Sequence, residues 1–146
     1  MSFIRYYIIP MIKHWRATLK LFSSLGKSEE FEWSEITVDE LFERVNSDQP
    51  PLLIDVRSPK EFNEGYGHIP DARSIPVLKI ESHLEDLESF KEKEIVTMCP
   101  GGGLSLVAVD ILEKAGFKDV KSLKGGTDLW HQSGYPTTIP NMDEGE

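Results

Sequence analysis

This chain of 146 residues contains one cysteine, Cys99, set where a thiol could act as a nucleophile. The apolar run Ile95-Val96-Thr97-Met98 delivers it, Pro100-Gly101-Gly102-Gly103-Leu104-Ser105 follows, and a helical pattern then begins. Sulfur chemistry needs the thiolate, because the neutral thiol attacks weakly; a helix N-terminus or a neighbouring positive charge favours the ionised form. The first N–H groups of a helix starting near Leu104 or Ser105 have no intrahelical partner and carry a partial positive charge. Three consecutive glycines let the preceding backbone curl so that several N–H groups point inward. Such a nest can hold a thiolate, or the outer sulfur of a persulfide, without a charged side chain. Pro100 contributes no N–H, so the cradle has one donor fewer than a loop without proline. From these residues alone, two readings stay open: a nucleophile, or a small buried side chain at a strand end above a glycine turn.

The surrounding elements decide what the thiol can reach. Thr37 with Glu40 forms a capping-box pattern, and Val38, Leu41, Phe42 and Val45 give the following helix an apolar face. Pro50-Pro51 stops that helix, and Leu52-Leu53-Ile54-Asp55-Val56 reads as a strand buried on both sides. Ser58-Pro59-Lys60-Glu61 opens a short helix with proline at its first position, and Gly65-Tyr66-Gly67 breaks it. Ala72-Arg73-Ser74-Ile75 reads as a short strand, and Leu78, Ile80, Leu84 and Leu87 as a helix. Ile95 to Met98 is the next buried strand. Leu104, Val107, Ala108, Ile111 and Leu112 form the core face of the helix after the loop. Val120 to Leu123 is a strand, and Gly126 to Gln132 a short helix. Strands and helices thus alternate, which predicts an α/β domain with a mostly parallel sheet covered on both faces. Ligands of such folds bind beyond the carboxyl ends of the strands, and Cys99 occupies such an end.

Composition bounds the rest. At 39% hydrophobic and 28% charged, the chain can bury a core, and no apolar run approaches the roughly 20 residues that span a bilayer. A single cysteine excludes an intramolecular disulfide framework and fits a reducing compartment, so the expected location is cytoplasmic. With no CxxC and no His/Cys cluster, neither a metal site nor a cofactor is expected. The net charge of -9 is uneven: residues 1–28 carry five basic residues and no acidic ones, while the remainder carries 11 basic and 25 acidic, a formal -14. The main body would repel phosphates, so nucleic acid is not an expected partner.

Three regions follow: a basic N-terminal extension with its linker (1–30), the main domain (31–140) and an acidic tail (141–146). In the first, Met11, Ile12, Trp15, Leu19 and Phe22 recur at helical spacing after Pro10, with Lys13, Arg16 and Lys20 mostly on another face. This amphipathic helix suits docking through residues 3–25, on a membrane surface or a protein partner. The alternative is that it packs its apolar face on the domain or on a second copy.

Four pieces of the chain, in order, resemble a rhodanese-homology domain. They are Leu53-Ile54-Asp55-Val56-Arg57 with Glu61-Phe62; Gly67-His68-Ile69-Pro70-Asp71-Ala72 with Ile75-Pro76; the Cys99 loop; and Leu123-Lys124-Gly125-Gly126 with Trp130 and Gly134-Tyr135-Pro136. The resemblance covers roughly Trp33 to Pro136. It implies a central five-stranded, mostly parallel sheet with helices on both faces. It also implies a sulfurtransferase: Cys99 takes sulfane sulfur from a small donor or a protein persulfide, holds it as a persulfide, and passes it to a thiol or other nucleophile. The residues implied to surround the sulfur are Gly101, Gly102, Gly103, Leu104 and Ser105. Asp55 and Arg57 are expected to make structural polar contacts, His68 to be a fixed polar anchor and Trp130 to be core.

The loop departs from the family at one position. Leu104 stands where the family carries an arginine, whose fixed charge and five donors suit an anionic donor such as thiosulfate. That casts thiosulfate turnover into doubt and favours an uncharged or protein-bound persulfide donor. It also keeps open a catalytically weak module that acts by binding partners. A phosphatase-like reading is remote, because Ser105 occupies the position where those loops place their arginine.

Overall fold

The computed structural model describes residues 33–140, which belong to one compact unit. The expected N-terminal amphipathic helix and the acidic tail lie outside the described residues. The element order is β1 (Glu35–Ile36), α1 (Val38–Val45), β2 (Leu52–Asp55), α2 (Pro59–Asn63), β3 (Arg73–Ser74), β4 (Glu94–Met98), α3 (Gly103–Lys114), β5 (Asp119–Leu123) and α4 (Gly126–Gln132). The five strands form one sheet in the order β1-β5-β4-β2-β3, and every pairing is parallel. The fold is therefore the expected α/β sheet. Its first strand, β1, is only two residues long, too short to show a period in the sequence.

The strand period of two separates the faces of the sheet. Leu53, Val96, Met98 and Leu123 pack on one face with Leu41 of α1, Trp130 of α4, Ile36, Val38 and Ile69. The alternate positions serve the other face, where Thr97 Oγ1 donates to the Ser105 carbonyl of α3 at 2.8 Å. There Ala108 and Leu112 are fully buried. Trp130 is core, as expected, and its indole N–H donates to the Pro136 carbonyl at 2.8 Å.

Local chemistry sets the element boundaries. Thr37 Oγ1 accepts from the Glu40 N–H at 3.2 Å while Glu40 returns a carboxylate to the Thr37 N–H at 3.0 Å, a complete capping box. Ser58 caps α2 with Pro59 at its start. The helix expected through Leu78, Ile80, Leu84 and Leu87 does not form. Three single 3-10 turns replace it, at Val77–Lys79, Glu81–His83 and Glu88–Phe90. Side chains compete for the backbone there: Ser82 Oγ donates to the Lys79 carbonyl at 2.7 Å, and His83 Nδ1 lies 2.8 Å from the same oxygen. The expected apolar face survives only in part: Ile80 and Leu87 are buried and Leu84 is half-buried, but Leu78 is 46% exposed and Val77 buries in its place. The strand expected over 72–75 narrows to Arg73–Ser74.

Candidate active site

Strand β4 ends at Met98, so Cys99 is the first residue beyond the carboxyl edge of the sheet, and it is 2% exposed. Helix α3 begins at Gly103, with Gly102 as its N-cap at φ +90°. A glycine cap has no side chain to receive the orphan N–H groups of the first turn. The cysteine takes that role: its Sγ accepts from the Gly102 N–H at 3.1 Å and from the Ser105 N–H at 3.4 Å. The sulfur thus caps the helix, and negative charge on it meets two amide donors and the positive end of the helix dipole.

The five loop residues expected around the sulfur divide sharply. Gly102 and Ser105 contact it. Gly101 and Gly103 are exposed, Leu104 is half-buried, and none of the three bonds to the sulfur. The glycine run therefore supplies one amide rather than a ring of them, and the second comes from the helix itself. Gly102 is the glycine the turn requires: its φ is positive, and a Cβ there would lie 3.2 Å from the Leu123 carbonyl oxygen.

Ser105 adds a third polar contact. Its Oγ lies 3.4 Å from the sulfur and 2.6 Å from Ser122 Oγ, and both serines are fully buried. Ser122 Oγ also reaches the Gly102 carbonyl at 3.4 Å. These three hydroxyl and thiol groups form a chain that serves both protonation states. With a thiolate, Ser122 donates to Ser105 and Ser105 to sulfur. With a thiol, the protons turn around and the last one rests on the Gly102 carbonyl. Sequence reasoning missed Ser122. The available signal was a small polar residue inside Val120-Lys121-Ser122-Leu123, where a buried strand ordinarily carries an apolar side chain.

Helix α4 closes the loop from the other side. The Thr127 N–H donates to the Cys99 carbonyl at 2.9 Å and the Asp128 N–H to the Pro100 carbonyl at 3.1 Å. Gly126 lets them approach, since a Cβ there would meet the Cys99 carbonyl oxygen at 2.1 Å. The cysteine backbone is thereby clamped while its sulfur faces α3.

The expected polar contacts at the end of β2 are an ion pair. Arg57 Nη2 meets Asp55 Oδ2 at 2.8 Å and the Gly67 carbonyl at 2.8 Å, and Nε lies 3.0 Å from Asp55 Oδ1. Burial works against the charge on Arg57. The hydrogen bonds and charge of Asp55 overcome it and hold the guanidinium above its usual range. His68 is anchored, with Nδ1 2.9 Å from the Phe62 carbonyl and its ring stacked on Phe62. Tyr66 spans to α4, bonding Thr127 Oγ1 at 2.8 Å and Asp128 Oδ1 at 2.6 Å. Burial pushes the Tyr66 phenol up, and the Asp128 bond adds to it. Among the described residues no group of three or more His, Cys, Asp or Glu could hold a metal, and no helix is long and apolar enough to cross a membrane.

Comparison with known proteins places this geometry. Residues 37–133 match the family described as the rhodanese-like domain. A protein of Allochromatium vinosum named sulfurtransferase is 31% identical over 107 residues, which is 73% of this chain and 96% of that one. A putative sulfurtransferase of Bacillus subtilis is 35% identical over 105 residues, 72% of this chain and 97% of that one. A rhodanese-like domain protein from Staphylococcus aureus has a similar crystal structure, at TM-score 0.60 and 32% identity over 72% of this chain and 98% of that one.

Proposed function

Because this chain belongs to the rhodanese-like family, we propose that it is a sulfurtransferase or persulfide carrier whose working nucleophile is Cys99. The Cys99 thiolate attacks the sulfane sulfur of a donor, the donor's own bond to that sulfur breaks, and a Cys99 persulfide forms. A thiolate or other nucleophile then attacks the outer sulfur, takes it away, and returns Cys99 as a thiolate. The sulfane sulfur changes partners without a net oxidant or reductant. With no second cysteine in the chain, the acceptor comes from outside.

The observation that carries this reading is the sulfur as helix cap, with two amide donors and the Ser105 hydroxyl on it. Gly102, Ser105 and Ser122 hold the charge, while Gly101, Gly103 and Leu104 form the outer loop beside the bound sulfur donor. Leu104 offers no charge to a dianion, so the donor in this reading is an uncharged or protein-bound persulfide rather than thiosulfate. The protein in this reading works in the cytoplasm, and residues 3–25 form a basic amphipathic element that either packs its apolar face on the domain or a second copy, or docks on a membrane surface or a protein partner.

Intact mass after incubation with a persulfide donor tests the central step. The native chain gains one sulfur atom and Cys99→Ser gains none. If the native thiol stays unmodified with every donor, the chain is a rhodanese-like module that works by binding rather than by transfer.

A further inference from the structure

A cavity of about 330 Å³ opens beside the cysteine loop, with Pro100, the residue bonded to Cys99, as one wall. Its other walls come from α2, from the Tyr66 segment and from Asp128 of α4. The volume suits a ligand of a few heavy atoms, at the lower end of small-molecule pockets.

Two kinds of unspent polar group face it. Arg57 lines the cavity, although the residue is only 4% exposed. Its Nε and Nη2 are occupied by Asp55 and the Gly67 carbonyl, while Nη1 has no hydrogen bond among the described residues. A buried guanidinium with one unspent nitrogen, on a residue that lines a cavity, is a ready site for a carboxylate. The Lys60 ammonium, also unpaired among the described residues, lies on the same wall. Against these stand three carboxylates. Glu64 has no side-chain partner among the described residues, Asp128 spends one oxygen on Tyr66, and Glu61 is tied to Ser58. Asp55 already neutralises Arg57. A dianion would therefore meet two donors and an excess of negative charge, whereas a ligand carrying both signs finds a partner for each.

From this juxtaposition we propose that the cavity is the acceptor subsite and that it takes a zwitterionic amino-acid thiol. The ligand carboxylate sits toward Arg57 Nη1 and Lys60, and its ammonium toward Glu64 and Asp128. The inference rests on the persulfide reading above and specifies its acceptor. In the step itself the bound thiolate forms a new bond to the outer sulfur of Cys99–S–SH. The Cys99–sulfur bond breaks, and its electron pair leaves on Cys99.

The test loads the full-length protein with inorganic polysulfide and removes the excess. It then follows loss of the added sulfur mass in cysteine, cysteamine, 3-mercaptopropionate and 2-mercaptoethanol at equal thiolate concentration. Cysteine discharges the protein about fivefold or more faster than each of the others, the effect of one well-placed hydrogen bond. Lys60→Gln shrinks the advantage of cysteine over cysteamine, and Glu64→Gln its advantage over 3-mercaptopropionate. Equal discharge into all four thiols, or ratios untouched by both substitutions, overturns the subsite while leaving the persulfide intact. A second arm needs no persulfide: S-methylcysteine titrated into Cys99→Ser shifts the backbone amides of Glu64, Gly65 and Tyr66 in NMR spectra. Absence of those shifts overturns the cavity assignment. Failure to load Cys99 in the first arm, with polysulfide and then with an alkyl persulfide such as benzyl persulfide, sinks the transfer reading instead.

Discussion

The Gly102 N–H points at the Cys99 sulfur across 3.1 Å, so the side chain proposed as the nucleophile also caps the helix that follows its loop. Stability and reactivity are joined at this contact. Gly102→Ala keeps the amide but puts a Cβ at φ +90° and against the Leu123 carbonyl. The left-handed conformation alone costs about 1 to 2 kcal/mol. The expected outcome is a lower urea midpoint together with slower sulfur loading by intact mass. Unchanged stability and unchanged loading would mean that the turn tolerates a side chain and the cap matters little.

The hydroxyl chain makes a graded prediction. Hydrogen bonds to a charged group contribute about 1.5 to 3 kcal/mol, so Ser105→Ala slows single-turnover persulfide formation roughly tenfold or more. Ser122→Ala leaves the Ser105 hydroxyl in place and slows it less, by about threefold. A variant of Ser122 that is slower than the Ser105 variant contradicts the order of donors, sulfur first and Ser122 behind it.

Restoring the family's charge tests why thiosulfate should be a poor donor. Leu104 is half-buried, so Leu104→Arg can extend toward solvent without disturbing the core. Thiosulfate kcat/KM rises about tenfold at low ionic strength and the gain shrinks as salt screens it. Turnover that stays the same at every salt concentration removes the missing guanidinium as the explanation.

The Asp55–Arg57 pair is buried on both sides, at 0% and 3% side-chain exposure. Removing one partner strands the other charge away from water. Arg57→Met or Asp55→Asn therefore destabilises the domain by about 3 to 5 kcal/mol. Replacing both with apolar residues costs less than either alone, because no charge is left unpaired. Equilibrium unfolding of the two singles and the double measures this; equal losses in all three refute a buried pair that is costly only when broken.

Alkaline pH has a defined effect. Tyr66 titrates above its ordinary value through burial and its bond to Asp128. Lys121 does so too: burial works against its charge, but hydrogen bonds to Asp119 and Glu94 overcome it. Both groups hold their protons more tightly when folded. Their stabilisation is complete below the unfolded pKa, about pH 10, and is lost as pH rises through the folded values. Unfolding free energy is thus level in this respect from pH 7 to 9 and falls above pH 10. Tyr66→Phe reduces that slope and leaves the Lys121 share; an unaltered slope assigns the loss elsewhere.

The legible parts of this protein were those encoded over a few neighbouring residues. The Thr37–Glu40 capping box, the proline start at Pro59, the buried runs at Leu52 and Ile95 and the glycine-rich loop after Cys99 each declare themselves within about six positions. The order of the four motifs that marks the family is legible as well, because it is read straight along the chain from Leu53 to Pro136. The stretch from Val77 to Phe90 misled because its apolar spacing fits a helix, yet the three successive 3-10 turns bury Val77, Ile80 and Leu87 and leave Leu78 exposed. The difference lies in whether Ser82 and His83 side chains or backbone amides claim the Lys79 carbonyl.

What the sequence determined by itself was a single candidate nucleophile, the alternating α/β order and the strand end on which Cys99 sits, because apolar period and turn chemistry are local properties. The loop residues Gly102 and Ser105 that contact the sulfur were within the sequence's reach, but only the tertiary structure decided what stands behind them. Parallel pairing of β4 with β5 sets Thr97 opposite Ser122, and that register brings a serine 17 residues beyond Ser105 to within 2.6 Å of its hydroxyl. Sheet crossover likewise carries Gly126 and Thr127 onto the Cys99 carbonyl. Donors that arrive from separate strands and helices leave no spacing to read in the chain. The sulfur's environment is a consequence of register and packing, not of the loop sequence alone.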